Sequence, residues 1–398
     1  MAGSLASSQN SQPIRTILGS ETMNFLLQNG VVYNPRMHVM EKKNIAISNN
    51  MLVELDNEAT YDSVIDAQDC IITTGLIDYH VHCYAGGCDF GLKPDIISPC
   101  CGITTVVDGG SCGVSNYKQF HEDVVEKSET RVLGYLLVAS GGQVTSAYPE
   151  NLDPIKLEEQ RILDCFNKYP NEIVGLKIRL SKNIVDGTKA EKALNRTVEI
   201  ADKAKTRVIV HVTDCSIPLD KVASILRPGD VICHIYQGKR NGCLDNDGKV
   251  LAGLWEAKKR GVLFDVGNGC NNFDLEVCKS AIKQGFTPDI ISTDNTTLGC
   301  FIQPLHSLPR VLSKFIDMGL SLEEVLDAAT ISPAGLIGKP ELGSMDIGTV
   351  ADICILKKKE KEMLYTDRAN HKFYGTQALV PMMTFKAGIP MYCQADFN

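Results

Sequence analysis

The sequence predicts an α/β protein: a (β/α)8 barrel of the TIM type with a small β-sandwich domain formed by N- and C-terminal segments. Two observations carry this. The middle of the chain alternates short, continuously apolar runs with stretches of helical periodicity, the pattern of parallel strands covered by helices. Eight such runs can be counted, and eight is the number that closes a β/α barrel. A doubly wound open sheet competes, but it usually carries a glycine fingerprint after its first strand, and none is found here.

In chain order, residues 1–22 (MAGSLASSQNSQPIRTILGSET) lack the apolar core of a signal peptide and read as a disordered or added leader, with Met23 as the natural start. Strand-like runs follow, NFLLQNGVVYN and NIAISNNMLVELD, with Asn-Gly and Asn-Asn as turn signals. A second β-rich set, TVADICILKKK and ALVPMMTFKAGIPMY, closes the chain. Residues 23–74 and 340–398 are therefore assigned to the sandwich, and 75–339 to the barrel. The barrel runs are LIDYHVH, GITTVVDGG, RVLGYLLVAS, EIVGLKIRLS, RVIVHVTD, DVICHIYQG, GVLFDVGNG and DIISTDNTT. Helical stretches between them include NYKQFHEDVVEKS, AEKALNRTVEIADKAK and GLWEAKKRG.

Composition narrows the function. The chain has 398 residues, 44% hydrophobic and 22% charged, enough for a sizeable core. A net charge of −8 argues against a nucleic-acid or anionic-membrane surface, and no apolar stretch is long enough to span a bilayer. None of the 15 cysteines is spaced C-x-x-C, so neither a zinc ribbon nor a dithiol redox pair is written here. Cys70, Cys233 and Cys354 lie in apolar runs as small hydrophobes, and Cys100–Cys101 reads as a packing pair, not a disulfide. The compartment expected is the reducing cytoplasm.

In such barrels chemistry sits where the strands end. The first strand ends in Asp78, His80 and His82, which alternation places on one face; the fourth carries Lys177 and Arg179. The fifth carries His211, the sixth His234, the seventh Asp265, and the eighth ends with Asp294. Each alone has an ordinary explanation. A lone histidine is more often a satisfied core residue, Asp265 and Asp294 could cap helices or anchor loops, and Lys177 could pair with Asp78. Yet four of the eight histidines stand at three strand ends, which favours a metal centre over scatter. Imidazole and carboxylate are zinc's usual non-sulfur ligands. An ammonium cannot be a ligand, but a lysine held neutral by desolvation could take up carbon dioxide as a carbamate able to bridge two metals.

At this point the chain resembles the amidohydrolase superfamily, from Met23 onward. VIDAQDCIITTGLIDYHVH is similar to that family's approach into the barrel, although Thr74 stands where proline is common, and ATISPAGLIG with GSMDIGTVADICIL is similar to its exit. The order HxH, Lys, His, His, Asp resembles the binuclear members, and VGLKIRLS with the glycine pair of HCYAGGCDFG resembles a dihydroorotase-like deacetylase subgroup. The resemblance implies two divalent metal ions, with zinc preferred. His80, His82 and Asp294 would hold the more buried ion, His211 and His234 the outer one, with N6-carboxylated Lys177 bridging both. A hydroxide held between the ions would be the nucleophile, and Asp294 would take its proton and pass it to the leaving group. Asp78 would orient imidazoles from behind.

Substrate contacts are read from position. Arg179 lies nearer the mouth than Lys177 and would clamp a carboxylate, or form a structural ion pair. Tyr236 would touch the polarised carbonyl, or pack. Gly86 and Gly87 would let a ligand approach, or make a turn. Asp265 and Asn268 would line the pocket. The expected activity is hydrolysis of an amide, cyclic amide or ester of a small carboxylate-bearing compound. The alternatives are deamination of a heterocycle, for which HVTDC lacks the glutamate such enzymes place after the fifth-strand histidine, and a non-catalytic binding relative. A small-molecule substrate and a homo-oligomer are expected, without nucleic acid or membrane.

Overall fold

A computed structural model describes residues 23–56, 58–301 and 306–397; the proposed leader lies outside them. Seven parallel strands pair in chain order: Leu76–Val81, Ile103–Asp108, Arg131–Leu137, Ile173–Arg179, Arg207–His211, Val231–Cys233 and Leu263–Asp265. Every residue of the first two is buried, as a sheet covered on both faces requires.

The eighth run corrects the expectation of eight strands. Residues 290–295 make only one parallel bridge on each side, Ile290 with Asp265 and Asn295 with Val81. Its polar half spends its backbone on loops: Ser292 and Thr293 carbonyls accept from the Asn268 and Gly269 amides, and Asp294 adopts a left-handed φ of 50°. The ring is thus closed by an irregular segment, not a ladder.

Helices cover the outside. Gly187–Lys203 starts where the Asp186 carboxylate accepts from the Lys189 amide, and it buries Ala190, Ala193, Leu194, Thr197, Ile200 and Ala201. That 3–4 spacing puts one face on the strands; each fully buried Leu or Ile on it contributes about 1.5–3 kcal/mol. GLWEAKKRG forms the helix Ala252–Arg260, ended by Gly261 at φ 94°. NYKQFHEDVVEKS is less regular: a single α-turn, Tyr117–Phe120, runs into a π-helical turn at His121–Val125.

The lower interior is filled by Ile77, Tyr79, Leu133, Tyr135, Ile209 and Val231 among others, so the barrel has a packed core and not a pore. Strands from both ends of the chain share the flanking sheets. Ile71–Thr74 pairs antiparallel with Ile353–Leu356, inside a six-stranded sheet that also holds Val31–Asn34. The hairpin of Ile353–Thr366 and Lys372–Lys386 is longer than the sequence suggested, because its outer half is polar and alternates in exposure. Buried Asp352 ties this sheet to the barrel, accepting from Arg131 (2.7 Å) and Lys386 (3.0 Å). All fifteen cysteines are free. No helix among the described residues is long and apolar enough to cross a membrane.

Candidate metal centre

Parallel register sets the inward face. Arg179 pairs with His211, His211 with Cys233 and Cys233 with Asp265, while Lys177 pairs with Ile209 one layer below. On the first strand the ladder slips in register between Asp78 and Val81. Among the described residues Asp78 bonds to no imidazole; it accepts from the Thr293 amide (3.0 Å) and hydroxyl (2.6 Å). That corrects the orienting role expected for it: Asp78 secures the residue preceding Asp294. Burial raises its carboxyl to about 7 against those hydrogen bonds.

Three imidazoles are anchored through Nδ1. His80 Nδ1 lies 3.2 Å from Asp265 Oδ2, and His234 Nδ1 lies 2.7 Å from the Gly267 carbonyl. His82 Nδ1 lies 2.8 Å from Ser111 Oγ, whose own proton goes to Asp108 Oδ2. In each case the partner can only accept, so Nδ1 carries the proton and Nε2 presents a lone pair. His80 and His82 Nε2 then lie 3.7 and 3.4 Å from Asp294 Oδ1. The ligating atoms of His80, His82 and Asp294 all fall within 4.8 Å of one another, and all three residues are buried. The His211 ring meets the His234 ring at 4.4 Å between centroids.

Lys177 is buried among them, with Nζ 3.2 Å from His80 Nε2 and 3.3 Å from Cys233 Sγ. Among the described residues no carboxylate pairs with it, so the alternative ion pair with Asp78 is not formed. Cys233, read as a small hydrophobe, also lies with His80 and His234 in a group whose donor atoms could meet one ion.

Electrostatics suit cation binding. Burial, reinforced by Lys177, pushes His80 far below its ordinary value; burial and neighbouring His234 do the same to His211. Burial brings His234 down to about 3, Asp294 opposing. Burial alone would raise Asp294, but wherever the neighbouring rings carry a proton, the His82 hydrogen bond and the nearby His80 and His234 outweigh it and hold the carboxyl well below the usual range. Neutral imidazoles and an ionised carboxylate are the protonation states ligation needs. Space is reserved as well: a Cβ on Gly109 would stand 2.4 Å from His80 Nε2, and one on Gly267 would stand 2.6 Å from His234 Nδ1. Two of the candidate ligands, His234 (φ 64°) and Asp294 (φ 50°), occupy the left-handed region, strain that concentrates at functional sites. The donor set therefore fits divalent metal.

No family model matches the chain. A deacetylase of Agrobacterium fabrum is 31% identical over 304 residues, covering 76% of this chain and 74% of that one. The chain belongs to the amidohydrolase superfamily. Two solved structures share its whole architecture. One described as an adenine deaminase has a TM-score of 0.85 at 26% identity, covering 93% of this chain and 99% of that one. One described as a dihydroorotase has a TM-score of 0.83 at 27% identity, covering 94% and 98%.

This amidohydrolase is a metal-dependent hydrolase of C–N bonds other than peptide bonds. A cavity of about 510 Å³ is bordered by His82, Lys177, Arg179, His211 and Asp294. Arg179 Nη1 donates to Gln143 Oε1 (2.7 Å) and to Glu150 Oε1 (2.6 Å). Glu150, on the loop after the third strand, was not anticipated; YPENLDP reads as an ordinary turn-rich loop. Tyr236 is turned away from the cavity and donates its hydroxyl to the Phe286 carbonyl, so it packs instead of touching substrate. Gly86 (φ 87°) makes a turn, and Gly87 makes room for the Tyr84 ring, which a Cβ would meet at 2.1 Å; neither borders the cavity. Asp265 stands behind His80 instead of in the pocket, and Asn268 receives Lys314 Nζ. Ser111 and Asp108, which steady His82, were also missed; the only hint was their place at the end of the second strand.

Proposed function

We propose that this amidohydrolase is a binuclear deacylase that removes an acyl group from a small carboxylate-bearing compound. The observation that carries the reading is the convergence of three Nε2 lone pairs, the Asp294 carboxylate and an amine without a carboxylate partner in one buried cluster. His80, His82 and Asp294 would hold one ion and His211 and His234 the other, with Lys177 reaching both as its carbamate. When bound, such ions supply Lewis acidity and lower the pKa of a water to near neutrality.

The chain's own residues do the rest. Arg179 borders the cavity and bonds Gln143 and Glu150 through Nη1, which would leave the Nε–Nη2 edge of its fork for a substrate carboxylate. It thereby orients the scissile bond toward the ligand set. Asp294 is ionised and takes the proton as water oxygen bonds to the acyl carbon. It returns that proton to the departing nitrogen as the C–N bond breaks. Asn272 Nδ2 donates to Asp294 Oδ2 and fixes the carboxylate plane. The likeness to deacetylases supports acyl removal over ring deamination, and the stretch after His211 (VTDC) offers no glutamate for a deaminase.

Metal content measured on protein purified without chelator should give about two ions per chain. A panel of N-acetyl amino acids, O-acetyl hydroxy acids, dihydroorotate and hydantoins should give turnover on acyl carboxylates, lowered about 10²–10⁴-fold by Asp294→Asn. A metal-loaded enzyme inert on every acyl carboxylate would overturn the reading.

A further inference from the structure

The cavity holds a feature that the hydrolytic reading leaves unused. Glu150 is only 5% exposed in its side chain, and one of its oxygens is bound to Arg179. The other, Oε2, is buried with no hydrogen-bond partner. A buried carboxylate oxygen left without a donor is costly, because it has given up water and gained nothing in return. A group this expensive in a ligand cavity is explained by a donor that arrives with the ligand. Thr213 supplies a second such atom: its Oγ1 is also buried and unpartnered, and it borders the same cavity two residues beyond His211.

Position identifies the donor. Burial raises the Glu150 carboxyl, and the groups that oppose this are Arg179 first, then Lys177 and His82. Glu150 is bonded to the guanidinium that would hold a carboxylate and borders the same cavity as His82, Lys177 and Asp294, the cluster that would receive the acyl carbonyl. In an acylated α-substituted acid, the atom between those two groups is the α-substituent, either an amide nitrogen carrying hydrogen or an ester oxygen carrying none.

We propose that Glu150 is the specificity residue at that atom, accepting from the amide N–H of an N-acyl α-amino acid and then from the ammonium of its product. Arg179 and Thr213 hold the carboxylate. An ester substrate leaves Oε2 unpaired, and sites built to bind a hydrogen reject the analogue lacking it. The inference rests on the deacylase reading for the turnover it predicts, but not for the binding it predicts.

The test uses the zinc-loaded full chain and matched pairs. Isothermal titration would compare each enantiomer of phenylalanine with the same enantiomer of phenyllactate. Kinetics would compare N-acetylphenylalanine with O-acetylphenyllactate. The favoured enantiomer of the amino acid should bind at least tenfold more tightly than its hydroxy acid. In Glu150→Gln, both that ratio and the amide-to-ester ratio of kcat/KM should fall at least tenfold. Thr213→Val should weaken both members of a pair alike. Equal binding of the pair by the wild type, no binding of either, or unchanged ratios in Glu150→Gln would each overturn the proposal. The wild-type comparison decides even if Glu150→Gln fails to fold. An enzyme that keeps the binding ratio but cleaves neither substrate refutes the deacylase reading and leaves Glu150 standing. Cleavage of both with ratios untouched by Glu150→Gln does the reverse.

Discussion

Asp265 holds His80: the carboxylate Oδ2 lies 3.2 Å from Nδ1, both side chains are buried, and Nε2 is left facing Asp294. Ser292 hydroxyl and the Gly267 amide fix the other carboxylate oxygen at 2.6 and 3.2 Å, so the imidazole is held by a group that cannot itself turn. Removing the carboxylate in Asp265→Ala should weaken zinc binding about 10–100-fold with the ligands intact. Competition against a fluorescent chelator measures it, and an unchanged affinity would contradict the role.

Lys177 is the proposed ligand whose assignment depends on a chemical modification. In Lys177→Ala the amine that would carry the carbamate is lost while the histidines stay, so metal content should fall below two ions per chain and turnover by at least about a hundredfold. Short carboxylic acids should partly restore both. Mass spectrometry of the intact wild type under native conditions should show carbon dioxide's added mass, absent from the variant.

Gly109 offers a steric test that touches no ligand. In Gly109→Ala the new methyl would stand 2.3 Å from His80 Cδ2 and 2.4 Å from Nε2, too close for any rotamer adjustment of the alanine. Metal loading should collapse while circular dichroism remains that of the wild type. Normal loading would mean that the His80 ring can shift without losing its ion.

Lys314 gives a pH dependence whose sign is fixed. Burial lowers its ammonium from the ordinary 10.5 to about 7, with Asn268 Oδ1 beside Nζ and the Phe273 ring 3.3 Å below it. Between pH 7 and 10.5 the unfolded chain holds a proton at this site that the folded chain has released. Stability therefore rises with pH across that window, by at most about 1.4 kcal/mol per unit from this group. Below pH 7 both states are protonated and the cost of burying the charge is fully present. Urea unfolding from pH 7 to 9 should show the slope in the wild type and lose it in Lys314→Met; parallel profiles would refute it.

The candidate ligands stand out in the sequence because a barrel concentrates chemistry at strand ends, and a histidine interrupting an apolar run is conspicuous. His80, His82, Lys177, His211, His234 and Asp294 could be read that way. The supports behind them could not. The orienting duty expected of Asp78 falls to Asp265, while Asp78 binds Thr293, a choice between two buried carboxylates that alternation alone does not reveal. Ser111 and Glu150 reach the site from loops, whose course depends on packing and not on periodicity. The run DIISTDNTT matched a strand in its apolar half, but its polar half gives its carbonyls to neighbouring loop amides.

That loose closing segment has a mechanical meaning. The Asp294 amide donates to the His80 carbonyl and the His82 amide to the Asn295 carbonyl, so the weld joining the chain's first stave to its last is the same few atoms that present His80, His82 and Asp294. A cation gripped there would act as a rivet across the joint. Whatever loosens the rivet should be felt first as breathing of the hoop at this joint, before any of the seven sound staves gives way.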